Sequence, residues 1–150
     1  MNCFCRINFM DKQFFTSKQA AEMTGCTLRQ LQYWREKEVV VPIINGTGTG
    51  RSVYYSPSEV MELAVMEYCL KVGLNFEAAA ATVKRLKDEG LILTSDEKAP
   101  RRFMLYWDEM KGKLRFMEFE LKKAIALLEK GKAIIPVWLD EIYQGLSLKV

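Results

Sequence analysis

Two short helix signals joined by a tight glycine turn constrain this chain more than any other feature of its sequence. Thr16 stands three residues before Gln19, the spacing of a capping box that opens a helix. That helix has a small packing face of Ala20, Ala21 and Met23, and Thr24-Gly25 closes it after about two turns. Thr27 then caps a second helix over 28 to about 37. Two short helices around a Gly-containing turn predict a helix-turn-helix.

The second helix can be read by its faces. At about 100° per residue, Leu28 and Leu31 point one way, while Arg29, Gln30, Tyr33 and Lys37 cluster roughly opposite, with Trp34 on the flank. Arg and Gln carry donor patterns that match guanine and adenine edges, and Tyr and Lys reach phosphates, so this outer face suits a major groove. An ordinary solvated face has the same composition, and the next segment separates the two readings. Val39-Val40-Val41-Pro42 leaves the helix extended, 45–50 form a glycine-rich tip, and 51–55 run extended again. Two strands around such a tip predict a β-hairpin, or wing. Its glycines allow close approach to a sugar-phosphate backbone, and Arg51 supplies charge at its edge. The tip lacks the Lys-Ser/Thr of a P-loop and no helix follows it directly, which argues against nucleotide binding.

Ser56-Pro57-Ser58-Glu59 is a helix start with Ser as cap and Pro at the first helical position. The helix runs to about 72, striped by Val60, Leu63, Ala64, Glu67 and Leu70, and Gly73 ends it. Asn75 caps a further helix over 76–89, closed by Gly90.

Composition narrows the chemistry. Histidine is absent, which removes the commonest general base and metal ligand. The four cysteines, Cys3, Cys5, Cys26 and Cys69, form no C-x-x-C pair, and without His they cannot assemble the usual zinc patterns. The chain is therefore expected not to be an enzyme, with no catalytic residue, no metal and no cofactor. No apolar run approaches the roughly 18 to 20 residues of a membrane span, and no secretory signal is evident, so a cytoplasmic protein without a membrane partner is expected. The net charge of +3 is uneven: +3 over 1–55, −3 over 56–100 and +3 over 101–150. A basic head and an acidic middle suit a small nucleic-acid module.

This order of elements resembles the DNA-binding domain of the MerR family of transcriptional regulators, over residues 14–90. The residues that carry the resemblance are Phe15-Thr16-Ser17-Lys18-Gln19-Ala20-Ala21, Thr27-Leu28-Arg29-Gln30-Leu31-Gln32-Tyr33-Trp34, Gly50-Arg51-Ser52-Val53-Tyr54 and Tyr55-Ser56-Pro57-Ser58-Glu59-Val60. The resemblance implies DNA contacts from the recognition-helix Arg, the Tyr of the same helix and the wing Arg, here Arg29, Tyr33 and Arg51. Two departures stand out. Arg35 occupies a position where family members often have an acidic residue, and a polar stretch over 94–100 replaces the long coiled-coil dimer helix of the family.

Beyond that stretch, 102–107 and 114–119 read as strands around a turn with Gly112, and Leu121, Ala124, Ile125 and Leu128 stripe a helix ending at Gly131. A strand over 133–137 and a helix over 138 to about 146 follow. Such a β-β-α-β-α unit is small for an independent core, so it is expected to lean on the winged domain or on a second copy. Its aromatics Phe103, Tyr106, Trp107, Phe116 and Phe119 are expected to pack as core.

The fold predicted is α+β: a mainly helical winged helix-turn-helix domain, then the β-β-α-β-α unit. Residues 1–13 are read as a flexible leader, with Met10 as an alternative start, 14–93 as the DNA-binding domain, 94–101 as a linker and 102–150 as a dimerisation or sensing unit. The function predicted is a sequence-specific, double-stranded DNA-binding transcriptional regulator, with helix 27–37 in the major groove and wing 46–54 on the backbone. The DNA-binding residues expected are Thr27, Arg29, Gln30, Tyr33, Lys37, Arg51 and Tyr54. Expected partners are double-stranded DNA, a second copy in a homodimer, and an effector or protein partner at the carboxy-terminal unit. An excisionase-like architectural factor and a protein-interaction adaptor are the alternatives.

Overall fold

The computed structural model describes residues 14–46 and 52–147. The leader with Cys3 and Cys5, and the tip with Arg51, lie outside the described residues. The amino-terminal half runs β1 (Phe15–Thr16), α1 (Ser17–Thr24), α2 (Leu28–Glu36), β2 (Ile44–Asn45), β3 (Val53–Tyr55), α3 (Pro57–Lys71) and α4 (Phe76–Asp88). The remainder is β4 (Arg102–Asp108), β5 (Lys113–Glu118), α5 (Leu121–Glu129), β6 (Ile134–Trp138) and α6 (Leu139–Ser147). Helices and two three-stranded antiparallel sheets thus make a mixed α+β protein.

Local chemistry sets the helix ends. Thr16 accepts from the Gln19 amide at 3.2 Å while the Gln19 side chain accepts from the Thr16 amide at 3.0 Å. Thr27 and Gln30 repeat the box at 3.1 and 2.9 Å. Gly25 closes α1 at φ 78°, a left-handed conformation that costs a β-carbon dearly, and its N–H donates to the Ala21 carbonyl. Ser56 and Asn75 cap α3 and α4.

α3 is the centre of the molecule. Residues Val60 to Met66 and Cys69 are all buried, so the helix is enclosed on every side rather than along one stripe, and Glu62 goes inside with them. The expected stripe is corrected because α3 has cover from both halves of the chain. α1 and α4 pack against it from the amino-terminal half, and α6 lies along it from the carboxy-terminal half. Tyr68 of α3 also donates its hydroxyl to the Pro136 carbonyl of β6. The buried core runs without a break from Phe15 to Leu146.

Three further expectations change. Leu28 is 56% exposed, whereas Trp34 is 2% exposed and paired inward with Leu31. The large indole fixes the inward direction of α2, and Leu28, at its first position, overhangs the body. Residues 39–42 form no strand. Glu38 turns the chain at φ 58°, the Val39 amide returns to the Trp34 carbonyl at 2.9 Å, and Val40 drops into the core. The strand before the tip is β2 instead, and β3 pairs with both it and β1. Finally, Leu121, Ile125 and Leu128 of α5 are 62, 46 and 58% exposed, and only Ala124 of the expected stripe is buried.

The second sheet, ordered β5-β4-β6, explains that last result. Cross-strand register groups Phe103, Leu105, Phe116 and Val137 on one face, and these join the main core, with Phe103 and Phe116 stacked at 4.9 Å. Met104 and Tyr106 lie buried on the other face, where Lys123 of α5 reaches over the Tyr106 ring and α5 packs along β6. Ala124 is the residue α5 buries, and its larger apolar residues stay exposed. Trp107, expected in the core, is half exposed.

Candidate nucleic-acid interface

α2 is held by Leu31 and Trp34 on its inner side and presents Arg29, Gln32, Tyr33, Glu36 and Lys37 outward. Gln32 donates to Glu36 at 3.1 Å, which ties up that carboxylate. Arg29 makes no side-chain hydrogen bond or ion pair among the described residues. Its guanidinium is therefore available as a planar double donor, the geometry that matches guanine.

Tyr33 is placed by two neighbours. Its ring lies 5.3 Å from that of Phe76, the first residue of α4, and the Lys37 ammonium sits 5.7 Å from its centre. Tyr33 and Lys37 thus form one cluster near the carboxy-terminal end of α2. The sequence reading missed Phe76, whose contact joins two elements far apart in the chain. It also missed Leu28, whose exposed side chain beside Arg29 is the kind that meets a thymine methyl.

The remaining expected residues divide. Thr27 is exposed, but its hydroxyl accepts from the Gln30 amide. Gln30 is half-buried and its carboxamide oxygen accepts from the Thr27 amide, leaving only its NH2 to reach a base. Reading adenine with both ends of the carboxamide would break the cap. The pattern Thr27-x-x-Gln30 carried this signal, because it repeats the spacing at Thr16. Tyr54, on the middle strand β3 between Thr16 and Ile44, is half-buried, and strand alternation turns it away from buried Tyr55. Arg51 lies outside the described residues. Arg35 is half-buried on the flank of α2, and its charge opposes the upward push that burial gives the Tyr55 hydroxyl. This places its charge towards β3 rather than on the outer face.

Residues 15–86 match the MerR HTH family regulatory protein model. Over 78 residues the chain is 28% identical to an uncharacterized HTH-type transcriptional regulator of Mycobacterium bovis. It matches HTH-type transcriptional regulators of two Mycobacterium tuberculosis strains to the same extent. The aligned stretch is 51% of this chain and 35% of each relative, so the match covers about a third of the relatives' length.

Proposed function

Since residues 15–86 of this chain belong to the MerR family of helix-turn-helix regulators, we propose that the protein is a sequence-specific regulator of double-stranded DNA. In this reading α2 enters the major groove. Arg29 reads a guanine edge, Leu28 touches a neighbouring thymine methyl, and Gln30 donates through its NH2. Tyr33 and Lys37 hold phosphates, Thr27 contributes the start of the helix, and Tyr54 and Arg51 flank the backbone from the hairpin. One observation carries the reading: Arg29, Tyr33 and Lys37 stand exposed along one side of α2 while Leu31 and Trp34 anchor the other.

One winged domain covers few base pairs, so the reading includes a two-fold pair of chains. α5 supplies a surface for it. Leu121, Ile125 and Leu128 are spaced i, i+4, i+7 and exposed, and Lys122 and Glu129 share the flank beside them, without ion pairs among the described residues. An antiparallel copy would set Leu121 against Leu128, Ile125 near its twin, and Lys122 beside Glu129 at both ends. The surface is its own complement in apolar pattern and in charge.

Selection of bound sequences from random duplexes, followed by the mass of the complex, tests the proposal. A single site with two-fold symmetry and two chains per site is expected. An array of direct repeats would replace a regulator with an architectural factor, and no enrichment would leave an adaptor.

A further inference from the structure

A cleft of about 260 Å3 opens between α4 and the β4–β5 hairpin. Part of its wall is apolar, with Ala78 and Ala81 beside Thr82 on the α4 side and Leu105, Leu114 and Phe116 on the sheet side. Its remaining charged residues are all cations, Arg85, Lys111, Lys113 and Arg115, and no carboxylate lines it. The Arg85 guanidinium lies 5.4 Å from the centre of the Phe116 ring, with Glu89 on its outer side at 3.3 Å. Arg115 is held by Asp108 at 3.3 Å. Lys111 and Lys113 have no side-chain ion pair among the described residues.

We propose that this cleft binds a small organic anion: a carboxylate or phosphate attached to a compact apolar body. Arg85 and Arg115 are already paired with Glu89 and Asp108, so the uncompensated charge at the opening is that of Lys111 and Lys113, and an anionic head would pair with it. The body of the ligand would displace water chiefly from Leu114, against the edge of Phe116. The volume is below the roughly 300–1,000 Å3 of pockets for drug-sized ligands, which limits the occupant to a compact molecule.

The position also gives the ligand a physical link to α2. α4 turns Ala78, Ala81 and Arg85 to the cleft, and its first residue, Phe76, braces Tyr33. A ligand seated between α4 and the hairpin biases that brace to the extent that it binds two arrangements of α4 unequally. This consequence rests on the DNA-binding reading; occupancy of the cleft does not.

The test uses the full chain and phenyl phosphate, with phenol and inorganic phosphate as its separate halves, followed by NMR of isotope-labelled protein. Saturable amide shifts that are largest at 78–85 and 105–116 are expected, with phenyl phosphate bound about tenfold or more tighter than either half. Lys111→Gln combined with Lys113→Gln changes only exposed side chains and is expected to weaken the probe about tenfold while leaving the far-ultraviolet spectrum and operator affinity unchanged. No saturable shift at millimolar probe, equal binding of phenol, or undiminished binding by the double variant overturns the proposal. If the double variant instead loses operator affinity and salt slope, the lysines face the DNA backbone; the cleft proposal falls and the DNA reading stands. Probe binding at the cleft without any operator would remove the DNA reading and leave this site in place.

Discussion

The ring of Tyr33 on α2 rests against that of Phe76 at the start of α4, 5.3 Å between centres and tilted by 56°. This contact fixes where the phenol of the outer face stands, and it ties α4 to the exposed face of α2.

Phe76→Ala is expected to lower stability by more than about 0.5–1.5 kcal/mol, the amount such a ring pair adds beyond its buried area, because Phe76 also packs against the core. It should also weaken binding to specific and random duplexes alike, because the contact it frees is to phosphate. Tyr33→Phe keeps the packing and loses the hydroxyl, so it should spare stability and still weaken binding. Chemical denaturation and duplex titration on both variants check this. Equal stability and equal affinity in Phe76→Ala would show that Tyr33 is not braced.

Arg29→Ala and Arg51→Ala should fail differently. Loss of a bidentate base contact at Arg29 costs about 1–3 kcal/mol and relaxes preference at one base pair. Loss of Arg51 should weaken all sequences similarly and reduce the salt slope by about one. Titrations over a salt series separate them, and two variants that bind the selected site like the parent would refute the recognition model.

Much of this was legible in the sequence wherever the cause is local. Capping at Thr16, Ser56 and Asn75 needs only residues three positions away, and each cap is present. Arg29, Tyr33 and Lys37 follow from helical phase, and all three are outside. What escaped depends on distant partners. Leu28 and Trp34 were exchanged because the inward direction of α2 is set by the core it meets, not by its own spacing. α3 reads as one-sided because α6, which covers another side, comes much later in the chain. Leu121 faces outward because Ala124, and not a larger residue, is the one α5 buries, a choice that no periodicity encodes. The left-handed turn at Glu38 has no glycine to announce it.

Ile125→Asp should convert a dimer into a monomer with its fold intact, because that side chain is already half exposed. Lys122→Glu alone should weaken the pair, and adding Glu129→Lys should restore it, since the proposed antiparallel pairing sets the two positions against each other. Exposed ion pairs are worth roughly 0.2–1 kcal/mol each, so the shift in dimer affinity will be modest and will shrink with salt. Sedimentation at several concentrations measures it. A double variant no better than the single one would rule out the antiparallel arrangement.

Glu62 predicts a pH dependence. Burial raises its carboxyl above the ordinary value, while Lys87, 3.4 Å away, pulls it back, and Oε1 has no aligned hydrogen-bond partner. A raised acid binds its proton more tightly in the folded state. Its contribution to stability is therefore present below the unfolded value and is lost as pH rises through the folded one. Glu62→Gln should be more stable than the parent at neutral pH, with the difference closing in acid. Thermal unfolding over a pH series reads this, and a constant offset would place the cause elsewhere.

Burial pushes the Cys69 thiol up to about 12, which leaves almost no thiolate at neutral pH. Cys69 and buried Cys26 should both resist iodoacetamide in the native protein and react once it is unfolded. Mass spectrometry of labelled peptides decides this, and rapid native labelling of Cys69 would show that α3 opens.

The placement of α6 on α3 and α1 has a consequence for the life of the nascent chain. α1 to α4 leave the ribosome well before α6 does, and they emerge with one flank of α3 uncovered. At about 5–20 residues per second, that flank waits several seconds for its lid. Throughout this interval the half-made protein shows chaperones and neighbouring chains an apolar surface that the finished one conceals.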